Sequence, residues 1–200
     1  MYLAIGDEQT PGYNPKTTNR TESKALTKAL GQKVISKGVK GSSLTLKNKG
    51  NIMHQLDQFS LPAYDGILLF FGANDYFHSK ANLGKINEAI TKAVATIRRK
   101  SQYTRIYGIL PLPMYDKNGN AYMGKRNQAF YTLHDLMDMI RITYTNNNVY
   151  SLNWLTLTAP IVNRNNAKQR LINGWIPTKE TQQLMAQRIS TFIKQHPVNV

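Results

Sequence analysis

Residues 66–72 read GILLFFG, an apolar run in which both alternating faces lack a polar group. A strand of that kind must be covered on both sides, which is the position of a central strand in a parallel sheet flanked by helices. At seven residues the run is strand-sized, far short of a membrane span, and the chain holds no longer apolar stretch. The neighbouring sequence supplies the covers. Asn82–Arg99 places Leu83, Ile86, Ala89, Ile90, Ala93, Val94 and Ile97 on one helical side.

The same alternation runs through the chain. Tyr2–Ile5, Ile67–Phe71, Arg105–Leu110 and Asn148–Leu152 predict strands, and Lys33–Leu46 predicts one or two more around Gly38 and Gly41. Glu22–Leu30 predicts a helix stopped by Gly31, and Ile52–Phe59 a short helix before Pro62. Gly124–Tyr144 predicts a long helix with Phe130, Leu133, Leu136, Met137, Ile140 and Ile142 on its buried side. Met137 and Met139 read as core or interface. A last helix, Thr178–Ile193, follows Pro177, and Thr10–Thr21 reads as a loop. Strands alternating with helices predict a three-layer α/β/α sandwich on a mostly parallel sheet. The 200 residues suit one domain, 1–200.

Composition narrows the chemistry. The absence of cysteine excludes disulfides, thiolate metal sites and a cysteine nucleophile. The four histidines, His54, His78, His134 and His196, show no metal-ligand spacing, and no cofactor motif is present; neither a metal nor a cofactor is expected. A net charge of +15 favours anionic partners or a plainly solvated basic surface. Without a basic tail or a recognition motif, nucleic acid is not the expected partner. Met1 leads directly into the first strand with no apolar leader, so a cytoplasmic location is expected unless a leader was removed.

In open parallel sheets ligands bind beyond the carboxyl ends of the strands. Three polar loops leave strand ends there: Gly6-Asp7-Glu8, Gly72-Ala73-Asn74-Asp75 and Asn173-Gly174-Trp175-Ile176-Pro177-Thr178. In that order they resemble the blocks of the SGNH hydrolases, also called GDSL lipases or acylhydrolases. Gly6-Asp7-Glu8, with Gly12-Tyr13 after it, resembles the first block. Lys47-Asn48-Lys49-Gly50-Asn51 resembles the second, with Gly50 as its glycine. Gly72-Ala73-Asn74-Asp75 keeps the third intact, and Asn173 to Pro177 resembles the fifth. The resemblance covers nearly the whole chain and implies a flavodoxin-like, SGNH-type sandwich with five parallel strands. It also implies a site for a small-molecule ester, an acylated sugar or a cell-wall fragment.

The residues that would carry the family's chemistry are changed. Glu8 stands at the nucleophile position, Asn173 at the aspartate position and Ile176 at the histidine position. Without a hydroxyl and its base the serine mechanism has no first step. The resemblance leaves an oxyanion hole formed by the Glu8 and Gly50 N–H groups and the Asn74 side chain. A carboxylate would fit such donors, so Glu8 is expected to fold over its turn and accept from Asn74 and Gly50. The expectation is therefore a non-catalytic protein that binds an acylated or carbohydrate ligand or a partner protein. The competing reading is an esterase with a rearranged site, in which Glu8 acts as nucleophile or base, or His78 replaces the missing histidine. Asp75 is expected to cap the following turn with its side chain. Trp175, Tyr13, Tyr76 and Phe77 either stack on ligand or pack the loops down.

Overall fold

The computed structural model describes residues 1–14 and 21–197. Part of the expected 10–21 loop, residues 15–20, lies outside them. The described chain forms β1 (Tyr2–Gly6), β2 (Thr21–Glu22), α1 (Lys24–Leu30), β3 (Val34–Gly38), α2 (Ile52–Leu56), β4 (Gly66–Phe70), α3 (Ala73–His78), α4 (Leu83–Lys100) and β5 (Arg105–Ile109). It continues with α5 (Leu133–Asn146), β6 (Tyr150–Leu152), α6 (Ala167–Arg170), β7 (Leu171–Ile172), β8 (Ile176–Pro177) and α7 (Lys179–Gln195).

The main sheet runs β2-β3-β1-β4-β5-β6. Five of its strands are parallel, and β2 pairs antiparallel at one edge. Side chains alternate across it. Leu3, Ile5, Ile67 and Leu69 pack into one apolar core with residues of α2, α4 and α5. Tyr2, Ala4, Leu68 and Phe70 pack into the other, against α1 and α7. The two-sided burial expected for GILLFFG is what β4 shows, with all five residues buried. The chain leaves β1 for β3 on one side and returns to β4 on the other. The order therefore reverses at β1 and β4, where Asp7-Glu8 and Asn74-Asp75 leave the sheet.

Three element boundaries differ from the sequence reading, and the 33–46 stretch takes its one-strand alternative. Glu22 lies in β2, and α1 begins only after Ser23, whose hydroxyl accepts from Leu26 N. The 33–46 stretch yields one strand, β3, then an irregular loop. α2 stops at Leu56, with Asp57 as its C-cap. The long helix expected over 124–144 is confined to Leu133–Asn146. A capping box between Thr132 and Asp135 starts it there. Before it, Asn127 Oδ1 accepts from Ala129 N and Tyr131 N and closes a turn. Phe130 is consequently left-handed (φ 66°) and 80% exposed, and Ile142 is 43% exposed on α5. Local hydrogen-bonding side chains outweighed apolar periodicity here.

Candidate functional site

Gly6 ends β1 with φ 155°, and a Cβ there would lie 1.9 Å from the Phe70 carbonyl oxygen of β4. Only glycine lets the two strands approach so closely as the chain turns off the sheet. Asp7 N donates back to Phe70 O at 2.9 Å. The turn delivers three successive buried polar side chains, Asp7, Glu8 and Gln9.

Both oxygens of the Glu8 carboxylate accept a hydrogen bond. Oε2 accepts from Asn74 Nδ2 at 2.8 Å, and Oε1 accepts from Gly41 N at 2.9 Å. Asn74 spends its second amide hydrogen on Ser42 O at 2.9 Å. Glu8 and Asn74 are 2% and 1% exposed, so these charge-assisted bonds are shielded from water. Gly41, not Gly50, supplies the glycine amide. Gly50 N is occupied by its neighbour's Asn48 Oδ1 at 2.9 Å, in the turn that leads into α2. The local Lys-Asn-Lys-Gly-Asn pattern marks that turn, whereas the donor lies in the loop straight after β3. Gly41 is left-handed (φ 72°), which is the feature of the 38–41 stretch that points to it.

Asp7 is held inward and accepts from Gln9 N at 2.9 Å. Burial first, then the Glu8 carboxylate, pushes its carboxyl well above the usual aspartate range; the Gln9 and Ala73 amides pull the other way, and Asp75 adds to the rise. Asp75 does not cap the following turn. It sits in the first turn of α3 and reaches the 44–45 loop, accepting from Leu44 N (2.8 Å), Thr45 N (3.0 Å) and Thr45 Oγ1 (2.6 Å). Burial raises its carboxyl, and those three donors restrain the rise. Asp7 thus feels two other buried carboxyl groups, Glu8 more strongly and Asp75 less. Tyr13 is raised by burial and then by the Glu8 charge, which places it within that carboxylate's field.

Gln9 escaped the sequence reading, because a lone glutamine has no telling spacing. Its Nε2 donates to Trp175 O at 3.0 Å and its Oε1 accepts from Leu112 N at 2.8 Å. One buried amide therefore joins the loops after β1 and β5 to the loop before β8. Gln55 was missed likewise; its Nε2 donates to Gly6 O, Ser42 Oγ and Gly50 O. Thr10 Oγ1 and Gln55 Oε1 are buried with no partner among the described residues.

The late loop is placed by backbone, not by catalytic side chains. Asn173 is exposed and left-handed (φ 52°), on the wall of a 330 Å³ hollow with Tyr115, Lys117 and Lys168. Ile176 is half-buried in β8 and pairs with Ile172. Gly174 (φ 80°) accepts from Tyr115 N at 2.8 Å, and a Cβ on it would lie 1.9 Å from Tyr115 O. Trp175 turns instead to Phe77, with rings 5.6 Å apart; Phe77 also meets Tyr122 at 5.2 Å and Tyr76 at 5.3 Å. Tyr76 is buried, while Phe77, Tyr122 and Trp175 are half-exposed. Tyr13 takes no part in that cluster's ring contacts.

His78 is exposed, with its ring 6.1 Å from Phe77 and no hydrogen bond to Glu8. His54 is exposed on α2, His134 faces Asp138 on α5, and His196 packs on Tyr150 and Phe192. Among the described residues no three His, Asp or Glu side chains form a metal-sized cluster, and no helix is long and apolar enough to cross a membrane.

Comparison with solved structures gives the fold. A protein from Lactobacillus plantarum superposes with a TM-score of 0.78 at 14% identity, covering 98% of this chain and 97% of the other. A G-D-S-L family protein from Desulfitobacterium hafniense gives 0.69 at 20% identity, covering 96% and 98%. An acetylxylan esterase from Geobacillus stearothermophilus gives 0.66 at 14% identity, covering 96% and 93%. No family model and no curated protein matches the chain. The chain has the SGNH/GDSL hydrolase fold, a parallel five-stranded sheet with helices on both sides.

Proposed function

We propose that this SGNH/GDSL-fold protein lacks serine-esterase chemistry and is a non-catalytic binder of an acylated carbohydrate. The observation that carries the reading is the double engagement of Glu8. On the resemblance, its carboxylate stands where a nucleophilic hydroxyl would be. Its oxygens take the Gly41 amide and the Asn74 side chain, the donors that would otherwise stabilise a developing oxyanion. A nucleophile or base needs a free lone pair aimed at substrate. Each Glu8 oxygen already accepts one hydrogen bond, and the side chain is 2% exposed, which leaves it little access to substrate. His78, on the solvent side of Phe77, makes no hydrogen bond to it.

The ligand class comes from the rim. Phe77, Tyr122 and Trp175 form a half-exposed aromatic surface beside the plugged turn, suited to the apolar face of a sugar ring. The acetylxylan esterase among the structural neighbours makes acylated sugars the first class to try.

The test is hydrolysis of p-nitrophenyl acetate by the natural protein and by Glu8→Ala, with binding of acetylated xylo-oligosaccharides followed by tryptophan fluorescence. Both proteins should match the enzyme-free blank, and Trp175→Ala should abolish the fluorescence response. Turnover by the natural protein that disappears in Glu8→Ala would make Glu8 catalytic and end this reading.

A further inference from the structure

A second concavity lies away from Glu8. An open groove of about 770 Å³ runs between α1 and the first turns of α7. Its walls carry Lys24, Lys28 and Lys179 against a single carboxylate, Glu22, with Gln183 and Gln187 beside them. Ala25 and Ala29 line it as well. The volume falls in the range of small-molecule sites.

The charges are arranged at a cost to the fold. Lys24 and Lys28 are an i,i+4 like-charge pair on a seven-residue helix that has no acidic residue in its first turn. Lys179 occupies the first position of α7, where the helix dipole disfavours a cation, with Glu180 beside it, whereas Lys28 in the last turn of α1 suits the dipole. Among the described residues none of these three ammonium groups, nor Glu22, belongs to an ion pair. Three ammonium groups without an ion pair around one concavity point to a ligand that compensates them. Such a ligand carries negative charge for the lysines. It also carries hydroxyl groups for the glutamine amides, which both donate and accept. Among the described residues the wall has no aromatic ring on which a base could stack, which disfavours nucleic acid.

We propose that this groove binds a phosphate-bearing polyhydroxylated ligand, either a free sugar phosphate or a polyol-phosphate chain. Titration calorimetry at low salt with ribose 5-phosphate, a glycerol-phosphate oligomer and ribose as the neutral control tests it. A phosphorylated probe should bind saturably and ribose should not. Saturation by ribose 5-phosphate identifies a free sugar phosphate; saturation confined to the oligomer identifies a chain. The Lys24→Gln/Lys28→Gln/Lys179→Gln variant, exposed at all three positions, should bind at least about tenfold more weakly. Glu22→Gln, which removes the one repelling carboxylate, should bind more tightly. The proposal is overturned if neither phosphorylated probe saturates. It is also overturned if the triple variant and Glu22→Gln both bind like the natural protein, because the basic surface at large would then be responsible.

Discussion

At the residue scale the site is organised by side chains that satisfy one another. Gln9 is 3% exposed and serves two backbone groups, Trp175 O and Leu112 N. Gln9→Leu keeps the bulk and strands both groups, so unfolding in urea should show a loss of about 2 kcal/mol or more. Asp7 gives a pH signature. Its folded carboxyl titrates above its unfolded value, so between the two the native state holds the extra proton. Stability then falls as pH rises from the ordinary aspartate range through the raised value, and is flat beyond it. Asp7→Asn retains an acceptor for Gln9 N, and its stability curve should fall less steeply, keeping only the share that the raised Asp75 contributes. How far these roles can be read from sequence depends on distance along the chain. Glu8 and Asn74 sit in short motifs, and their meeting could be anticipated from them. Gly41 could not, because the glycine that reaches Glu8 is chosen by where β3 ends in space. Gln9 could not, because its partners are 103 and 166 residues away.

At the element scale, ends matter more than middles. Apolar periodicity located α4, β1, β4 and β5 because their burial pattern is regular. It misplaced the start of α5, which Thr132 and Asp135 fix by hydrogen bonding. Thr132→Ala should cost about 1 kcal/mol, measurable as a lower midpoint in thermal or urea unfolding. The β7–β8 hairpin was not visible in the sequence, since each strand has only two residues and its pairing rests on the Gly174 turn. A methyl group there meets the Tyr115 carbonyl, and φ is left-handed. Gly174→Ala should therefore destabilise the protein by about 2 kcal/mol or more and shift Trp175 fluorescence toward that of exposed indole.

At the scale of the whole molecule, a sheet that reverses direction at β1 and β4 gathers loops from distant parts of the chain at one end. The fold was legible from strand–helix alternation because layered α/β packing leaves few topologies for it. The antiparallel edge strand β2 was not, since two residues carry no period. The loops meet over a donor pair already served by the protein itself, and this has a competitive consequence. Glu8 is tethered one residue beyond Asp7, so it faces Asn74 and Gly41 at the effective concentration of an intramolecular group. Free acetate or any other dissolved carboxylate has to displace it from bulk solution, so such anions should act as very poor competitors for those two donors. Affinity for anything docking at this end of the sheet must then come from the rim, and trimming the aromatic side chains there should weaken binding more than changing the ligand's charge.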